Sequence, residues 1–275
     1  MSASMPQRDD VATMLRHSEI KVRKIFAEMK YSSYFCSVKI TQQKNMKELK
    51  YHYKYPHLSV TTDCVIFGFD GTRLNVLLVE RGVEPFKGRW AFPGGFLKMD
   101  ESALQGAKRE LYEETGLKDA YIHQFHAFSA VDRDPRERVI TIAYFALVRI
   151  SEVKAGDDAA KAQWFPLDKV PSLAFDHDLI LREATHELRR QIHFEPIGFE
   201  LLPEKFTMTQ LQHLYEAILS VKFDRRNFSN KMLKLGILTQ LEETLAMPNK
   251  KVAFLYKFCP ESYNEMKEKG FRLEF

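Results

Sequence analysis

The sequence has few cysteines and no long apolar stretch. Cys36, Cys64 and Cys259 are odd in number and far apart, which argues against a small domain held together by disulfides. No run approaches the roughly 18 consecutive apolar residues that suggest a membrane-spanning helix. Residues 1–19 lack the apolar core of a signal peptide. We therefore expect a reduced, cytoplasmic protein that has no membrane partner.

The overall composition is that of ordinary globular domains. With 45% hydrophobic and 28% charged residues, the chain is not mainly disordered, collagen-like or coiled-coil. It contains neither an internal repeat nor a low-complexity tract. At roughly 100 to 200 residues per domain, 275 residues predict about two domains.

Charge is distributed unevenly along the chain. Residues 1–55 carry 11 Lys and Arg against 5 Asp and Glu, residues 56–200 carry 18 against 23, and residues 201–275 carry 12 against 9. An acidic middle is typical of a metal site, and basic flanks are typical of a protein that binds a polyanion. Each imbalance can equally be a solvated surface.

The middle of the chain predicts a mixed sheet with helices. Residues 1–50 form an N-terminal extension for which the sequence indicates no role. Within residues 51–195, β-rich runs at 60–69 and 74–79 flank the Asp70-Gly71 turn and predict a hairpin. Further strands are predicted at 120–131, 139–150 and 162–165, and helices at 100–115 and 176–192. Because strands and helices do not alternate strictly, we expect an α/β domain of the α+β type with a mixed sheet.

Residues 196–275 predict a second domain. Thr207 and Gln210 form a capping box ahead of a helix that places Leu211, Leu214, Tyr215 and Ile218 on one face. A second helix follows Asp224 and ends at Gly236, and strands are predicted at 237–241 and 252–258. Helix, helix, hairpin is the order of a winged helix. Such a domain can bind DNA, or it can serve as a protein-binding or dimerisation module.

The strongest chemical signal is an acidic helix. Glu110, Glu113 and Glu114 share one arc of about 100°, and Arg109 lies four residues before Glu113, where it can orient that carboxylate. Like charges at this spacing repel one another in a bare helix. Their grouping makes sense if a divalent cation neutralises them, and oxygen ligands favour Mg²⁺ or Mn²⁺. A solvated acidic face, the alternative, does not explain the nearby glycines, the arginine and the spacing together.

The stretch from Gly95 to Leu117 resembles the Nudix box, G-x5-E-x7-R-E-U-x-E-E-x-G-U with U a bulky aliphatic residue, and matches it at every position. The resemblance implies a Nudix α/β/α sandwich that hydrolyses a nucleoside diphosphate linked to another moiety. It also implies roles for individual residues. Glu110, Glu113 and Glu114 become metal ligands and catalytic residues, Glu101 a supporting carboxylate, Arg109 their orienter and the Gly95 backbone part of the metal loop.

The general base is not part of the box. In many Nudix enzymes it lies on another loop, so Asp157 and Asp158, which precede the strand predicted around Trp164, become candidates. The alternative is that these two residues form an ordinary polar turn.

Arginines and aromatic residues near the box are candidates for substrate binding. Arginine binds phosphate through two hydrogen bonds, and aromatic rings give a nucleobase a stacking surface. The candidates are Arg81, Phe86, Trp90, Arg133 and Arg136. Any one of them alone is more often core or surface than ligand-binding. The segments that hold them resemble ADP-ribose pyrophosphatases, which implies ADP-ribose or a related nucleoside-diphosphate sugar as substrate.

The two-domain order resembles the Nudix-related transcriptional regulators. The resemblance implies a homodimer that binds a palindromic operator DNA and responds to ADP-ribose or a sugar-derived ligand. The predicted DNA contacts are Arg225, Arg226, Asn227, Asn230, Lys231 and Lys234 on the second helix, and Lys250 and Lys251 in the hairpin turn. Many such regulators have an eroded box, whereas this box is intact, so catalysis is expected.

We therefore expect a metal-dependent pyrophosphohydrolase that converts ADP-ribose to AMP and ribose 5-phosphate and is fused to a DNA-binding winged helix. Two alternatives stay open. One is a ligand-sensing repressor of NAD or sugar metabolism with little turnover, and the other is an enzyme whose winged helix serves only dimerisation.

Overall fold

The computed structural model describes residues 54–116, 120–150, 162–246 and 252–268. Its strands are β1 (Ser59–Phe69), β2 (Leu74–Glu80), β3 (Trp90–Ala91), β4 (Gly94–Phe96), β5 (Tyr121–Phe128), β6 (Val139–Leu147), β7 (Ala162–Pro166), β8 (Phe206–Thr207), β9 (Leu238–Ala246) and β10 (Val252–Phe258). Its helices are α1 (Ala103–Thr115), α2 (His177–Ile192), α3 (Met208–Leu219), α4 (Arg225–Lys234) and α5 (Pro260–Glu268). Short 3-10 turns lie at Leu167–Lys169 and Phe199–Leu201.

A mixed sheet forms the centre of the first domain. Its main order is β3-β2-β1-β6-β5, with β4 paired to β1 and β7 paired to β2. Strands β1 and β6 are parallel, whereas the other pairs are antiparallel. The predicted hairpin is confirmed: Phe69 pairs with Leu74, and the Asp70 carboxylate accepts hydrogen bonds from the backbone N–H groups of Thr72 and Arg73 at 2.8 and 2.7 Å.

Two helices cover the two faces of this sheet. Along β1, Cys64 and Ile66 pack in one apolar cluster with Ala107 and Leu111 of α1. Their neighbours Val65 and Phe67 point to the other face, into the cluster that contains Ile180, Ala184 and Leu188 of α2. Alternation along a strand thus produces an α/β/α sandwich, which confirms the predicted architecture.

One detail of the helix prediction is wrong. Leu104 and Leu111 lie on the helical face opposite the carboxylates, which predicts that both belong to the core. Leu104 is nevertheless 43% exposed, whereas Leu111 is 2% exposed. Burial on this face begins at Ala107, so Leu104 lies in the first turn ahead of the packed residues.

The second domain is a winged helix. Helices α3 and α4 precede the β9–β10 hairpin, and β8 pairs with β10 to complete a three-stranded sheet. The predicted capping box of Thr207 and Gln210 is present, and Leu211, Leu214, Tyr215 and Ile218 are at most 1% exposed. Strand β9 extends to Ala246, past the predicted end at 241, because backbone pairing with β10 continues where the side chains are polar.

The two domains share one continuous core. Ile192 at the end of α2, Phe199 in the connection and Tyr215 of α3 belong to the same buried cluster as the β1 residues. Because this buried cluster continues from one domain into the other, the domain limits predicted at 51–195 and 196–275 stay a prediction. No helix in the described part of the chain is long and apolar enough to cross a membrane.

Candidate active site

Local sequence signals set the limits of the acidic helix. The Ser102 side chain accepts a hydrogen bond from the backbone N–H of Gln105, and the Gln105 side chain accepts one from Ser102, so α1 begins at Ala103. Gly116 ends the helix with φ 73°, and its N–H donates to the Tyr112 carbonyl at 2.8 Å. A residue with a Cβ rarely adopts this left-handed backbone. These two caps fix which residues face the loop that precedes the helix.

Arg109 joins three carboxylates. Its guanidinium donates two hydrogen bonds to Glu101, at 2.7 and 3.0 Å, one to Glu110 at 2.7 Å and one to Glu113 at 3.2 Å. A further bond reaches the carbonyl of Phe96 in β4 at 3.4 Å. The arginine therefore ties the acidic helix to the loop before it, and its contact with Glu113 is the one that the predicted orienting role requires.

This arrangement shifts the ionisation of the carboxylates. Hydrogen bonds from Arg109 and from the Lys98 backbone hold the pKa of Glu101 at about 2. Burial raises the pKa of Glu110 above its ordinary value, although Arg109 acts in the opposite direction. Glu101 in turn raises the pKa of Arg109. Arg109 thus stays cationic, and Glu101 stays ionised at neutral pH.

The backbone at Gly95 lies against the Glu110 carboxylate. A Cβ at this position would collide with one oxygen of that carboxylate and lie 3.2 Å from the other, so a larger residue would push the Glu110 side chain away. Strand β4 holds Gly95 there because Thr62 of β1 pairs with it. A backbone carbonyl next to carboxylates on an adjacent helix is an oxygen donor set that suits a hard divalent cation. Glu110, Glu113, Glu114 and the Gly95 backbone offer oxygen donors of the kind that Mg²⁺ or Mn²⁺ prefers. Within the described ranges, however, no three acidic, His or Cys side chains lie close enough together to hold a metal ion.

A cluster of aromatic rings and arginines lies beside this loop. Phe175 is central: the Arg81 guanidinium lies 4.7 Å and that of Arg136 5.6 Å from its ring centre, and the Phe86 ring meets it edge-on at 4.8 Å. Arg136 also lies 5.2 Å from the ring of Phe96 in β4. Burial and the nearby Arg136 hold the pKa of Arg81 below its ordinary value. Arg136 is also paired with the Asp134 carboxylate at 2.7 and 3.0 Å. Two guanidinium groups over aromatic rings are the kind of groups that can bind an anionic ligand.

The backbone is strained at this cluster. Phe86 and Phe175 have φ values of 65° and 53°, in the left-handed region that bulky residues seldom occupy. Such strain persists only where the surrounding structure holds it, and it is enriched in ligand sites. It supports the same location for ligand binding as the charges do.

A buried polar network lies under the cluster. Arg133 donates to Asp176 at 2.7 and 3.0 Å and contacts Asp63 at 3.4 Å. His177 accepts a hydrogen bond from the Phe92 N–H through Nδ1 at 3.0 Å, and its Nε2 lies 3.7 Å from Asp63. Burial lowers the pKa of His177. Asp63 also lies against Gly94, where a Cβ would come within 2.8 Å of its carboxylate oxygen.

The predicted substrate residues therefore occupy three settings. Arg81, Phe86 and Arg136 come together around Phe175. Arg133 has a side chain only 4% exposed and is bound to two carboxylates, so it lies beneath that surface. Trp90 packs against Phe165 at 4.8 Å, in contact with the core. Asp157 and Asp158 lie outside the described residues, and their role as base stays a prediction.

Sequence reasoning missed Phe175, Asp63, Asp176 and His177. They come from β1 and from the start of α2, and none belongs to a local motif. The signal that could have found Asp63 is its polar side chain within the apolar run of β1.

The predicted DNA-binding residues of α4 lie mainly at the surface. Asp224 caps the helix by accepting a hydrogen bond from the Asn227 N–H at 2.9 Å, while Phe228 and Met232 are buried. Of the predicted contacts, Arg225, Arg226, Asn227, Asn230 and Lys234 are exposed, and Lys231 is half-buried. Lys250 and Lys251 lie outside the described residues, so their role stays a prediction.

Comparison with known proteins identifies both domains. The family model of the NUDIX domain matches residues 57–188, and that of the NrtR DNA-binding winged helix domain matches residues 198–258. Over 215 residues the chain is 32% identical to the ADPR responsive transcriptional repressor NtrR of Acinetobacter baylyi, an alignment that covers 76% of this chain and 86% of that protein. The chain belongs to the NrtR family.

Further similarity supports each half of this NrtR-family chain. An ADP-ribose pyrophosphatase of Methanocaldococcus jannaschii is 38% identical over 160 residues, which cover 58% of this chain and 90% of that enzyme. The crystal structure of Shewanella oneidensis NrtR complexed with a 27mer DNA matches with a TM-score of 0.67 and 29% identity, covering 74% of this chain and 95% of that one. The predicted Nudix fold and C-terminal winged helix are thereby confirmed.

Proposed function

We propose that the Nudix domain hydrolyses ADP-ribose to AMP and ribose 5-phosphate with the help of Mg²⁺ or Mn²⁺. The observation that carries the proposal is the intact set of carboxylates held by Arg109, next to the arginine and aromatic cluster around Phe175. Similarity to an ADP-ribose pyrophosphatase and to an ADPR responsive repressor supports the same ligand.

Each group has a distinct task in this proposal. Glu110, Glu113, Glu114 and the Gly95 backbone would hold the divalent cation, which supplies charge neutralisation at the pyrophosphate. Arg109 keeps the carboxylates in position. Arg81 and Arg136 bind phosphate oxygens, while Phe175 and Phe86 offer ring surface to the nucleoside. The buried pair of Arg133 and Asp176 supports the strained backbone at Phe175, which lies next to Asp176 in the chain.

Replacing Glu113 by Gln tests the hydrolase. The Gln side chain keeps the shape but removes the anion, so kcat should fall by several orders of magnitude in chromatographic assays of AMP release. Glu183→Gln is the matched control, because Glu183 is exposed on α2 away from the carboxylates. Turnover of Glu113→Gln within about threefold of the parent protein would contradict the assignment.

We propose in addition that the winged helix binds operator DNA as part of a homodimer and that ADP-ribose changes this binding. The exposed Arg225 and Arg226 begin α4, and the N-terminal residues of such a helix usually contact base edges. The crystal structure of Shewanella oneidensis NrtR complexed with a 27mer DNA, whose sequence is 29% identical to this chain, supports the same use of the domain.

Binding measurements separate this proposal from its alternatives. Arg226→Ala should reduce the difference in affinity between operator and random duplex, since a lost base contact costs about 1 to 3 kcal/mol of discrimination. Sedimentation would report the dimer. If Glu113→Gln protein releases DNA on adding ADP-ribose while the parent protein shows no turnover, the chain is a ligand-sensing repressor. If a folded dimer binds no DNA at low salt, the winged helix serves dimerisation.

A further inference from the structure

A cavity of about 900 Å³ lies between the Nudix domain and the winged helix. The Nudix side contributes the turn after β1, the 3-10 turn at Leu167–Lys169 and one face of α2. The winged helix contributes α3 and the segment that follows it, including Val221 and Lys222. This volume is in the usual range for small-molecule sites, roughly 300 to 1,000 Å³. None of the active-site residues described above lines it.

Positive charge in the cavity exceeds the negative charge available to balance it. Arg73 and Arg182 are exposed there, and no anionic partner for their guanidinium groups is found among the described residues. Arg189 donates to the carbonyl of Ile218 and to the hydroxyl of Ser220, both at 2.8 Å, and both acceptors are uncharged. Arg73, Arg182 and Arg189 therefore face the cavity, and the hydrogen bonds of Arg189 do not neutralise its charge.

The two carboxylates of the cavity do not cancel this excess. Glu216 is already bound by Lys222 at 2.8 Å, by the Phe223 N–H at 3.0 Å and by Gln212 at 2.9 Å. Asp168 is the other acidic residue in the lining. Arginines that converge from separate elements suit a phosphate group, which accepts several charge-assisted hydrogen bonds.

The rest of the lining fits the remainder of a phosphorylated metabolite. Leu167, Leu181, Ala217 and Val221 provide apolar surface, while His186 and His213 provide polar ring nitrogens. Sites for small molecules likewise combine apolar surface with polar groups that fix the orientation of the ligand.

We propose that this cavity is a second ligand site, which takes a phosphorylated small molecule of nucleotide size. It is distinct from the active site and does not depend on hydrolysis of ADP-ribose. Val221 and Lys222 lead directly into Asp224 and α4, so a ligand that contacts them also contacts the turn that positions the DNA-binding helix. Occupancy would therefore bias the position of α4.

Hydrogen exchange with ADP as the probe tests the site because it locates binding within the chain. Millimolar ADP should slow exchange in peptides that cover residues 181–189 and 213–223. Arg182→Gln should raise the ADP concentration that gives half-maximal protection roughly tenfold, because one charge-assisted contact is lost. Arg73→Gln should do the same. Arg182 and Arg73 are exposed, so both variants should keep the parent melting temperature.

Lys169→Gln is the matched control, since it removes one exposed positive charge close to the cavity but outside its lining. It should leave the protection unchanged. The proposal is overturned if ADP protects neither segment, if Arg182→Gln and Lys169→Gln behave alike, or if duplex DNA protects these segments while ADP does not. Protection near Phe175 reports the active site and has no bearing on this result.

Discussion

Replacing Arg109 by Lys separates positioning from charge at the active site. The substitution keeps the positive charge but removes the planar fork that contacts Glu101, Glu110 and Glu113 at once. A single ammonium cannot reproduce these contacts. The Arg109 side chain is 20% exposed, so solvent partly screens its charge. We therefore expect the substitution to lower the free energy of unfolding by about 1 to 2 kcal/mol. Because the carboxylates lose their orientation, kcat/KM for ADP-ribose should fall by about 100-fold.

Two measurements check this prediction. Urea denaturation gives the free energy of unfolding, and AMP release gives kcat and KM across a Mg²⁺ titration. Arg138→Lys is the control, because Arg138 makes a hydrogen bond to the Ala130 carbonyl at 2.8 Å, outside the carboxylate cluster. If Arg109→Lys loses the expected stability but keeps kcat/KM within about threefold, Arg109 only supports the fold and the positioning argument is wrong.

Three further predictions concern a glycine, a carboxylate and a core residue. Gly95→Ala should lower kcat at least tenfold because its Cβ displaces Glu110, whereas Gly82→Ala, with open space around it, should not. Burial opposes ionisation of Glu216, yet Lys222, the Phe223 N–H and Gln212 lower its pKa from 4.5 to about 2. The Glu216→Gln variant should therefore be less stable by about 1 to 3 kcal/mol at pH 7. Urea titrations should show this difference shrink as the pH falls below 4.5 and through about 2, where the folded carboxylate takes up its proton. Met232→Ala should cost about 2 to 5 kcal/mol in urea, and a cost below about 1 kcal/mol would contradict its place in the core.

Local sequence patterns were sufficient for the elements that carry the carboxylates and the predicted DNA contacts. The capping box of Thr207 and Gln210 acts within one turn of a helix, and the Asp70-Gly71 turn acts within a hairpin. The grouping of Glu110 and Glu113 likewise follows from helical geometry alone. These predictions were confirmed because the interactions behind them span only a few residues.

Residues far apart in the chain had no such signal. Asp63, Arg133 and Asp176 meet only because β1, the loop before β6 and the start of α2 adjoin in the folded sheet. The same packing buries Arg133, which its charge alone would place at the surface.

The sequence by itself determined the Nudix box, the order of the two domains and the buried face of α3, since these depend on spacing along the chain. Only the tertiary structure decided that Phe175 gathers Arg81 and Arg136, and that arginines from the β1–β2 turn and from α2 face one cavity beside α3. Such convergence depends on how separate elements pack, because side chains brought together across the fold are not related by any fixed sequence interval.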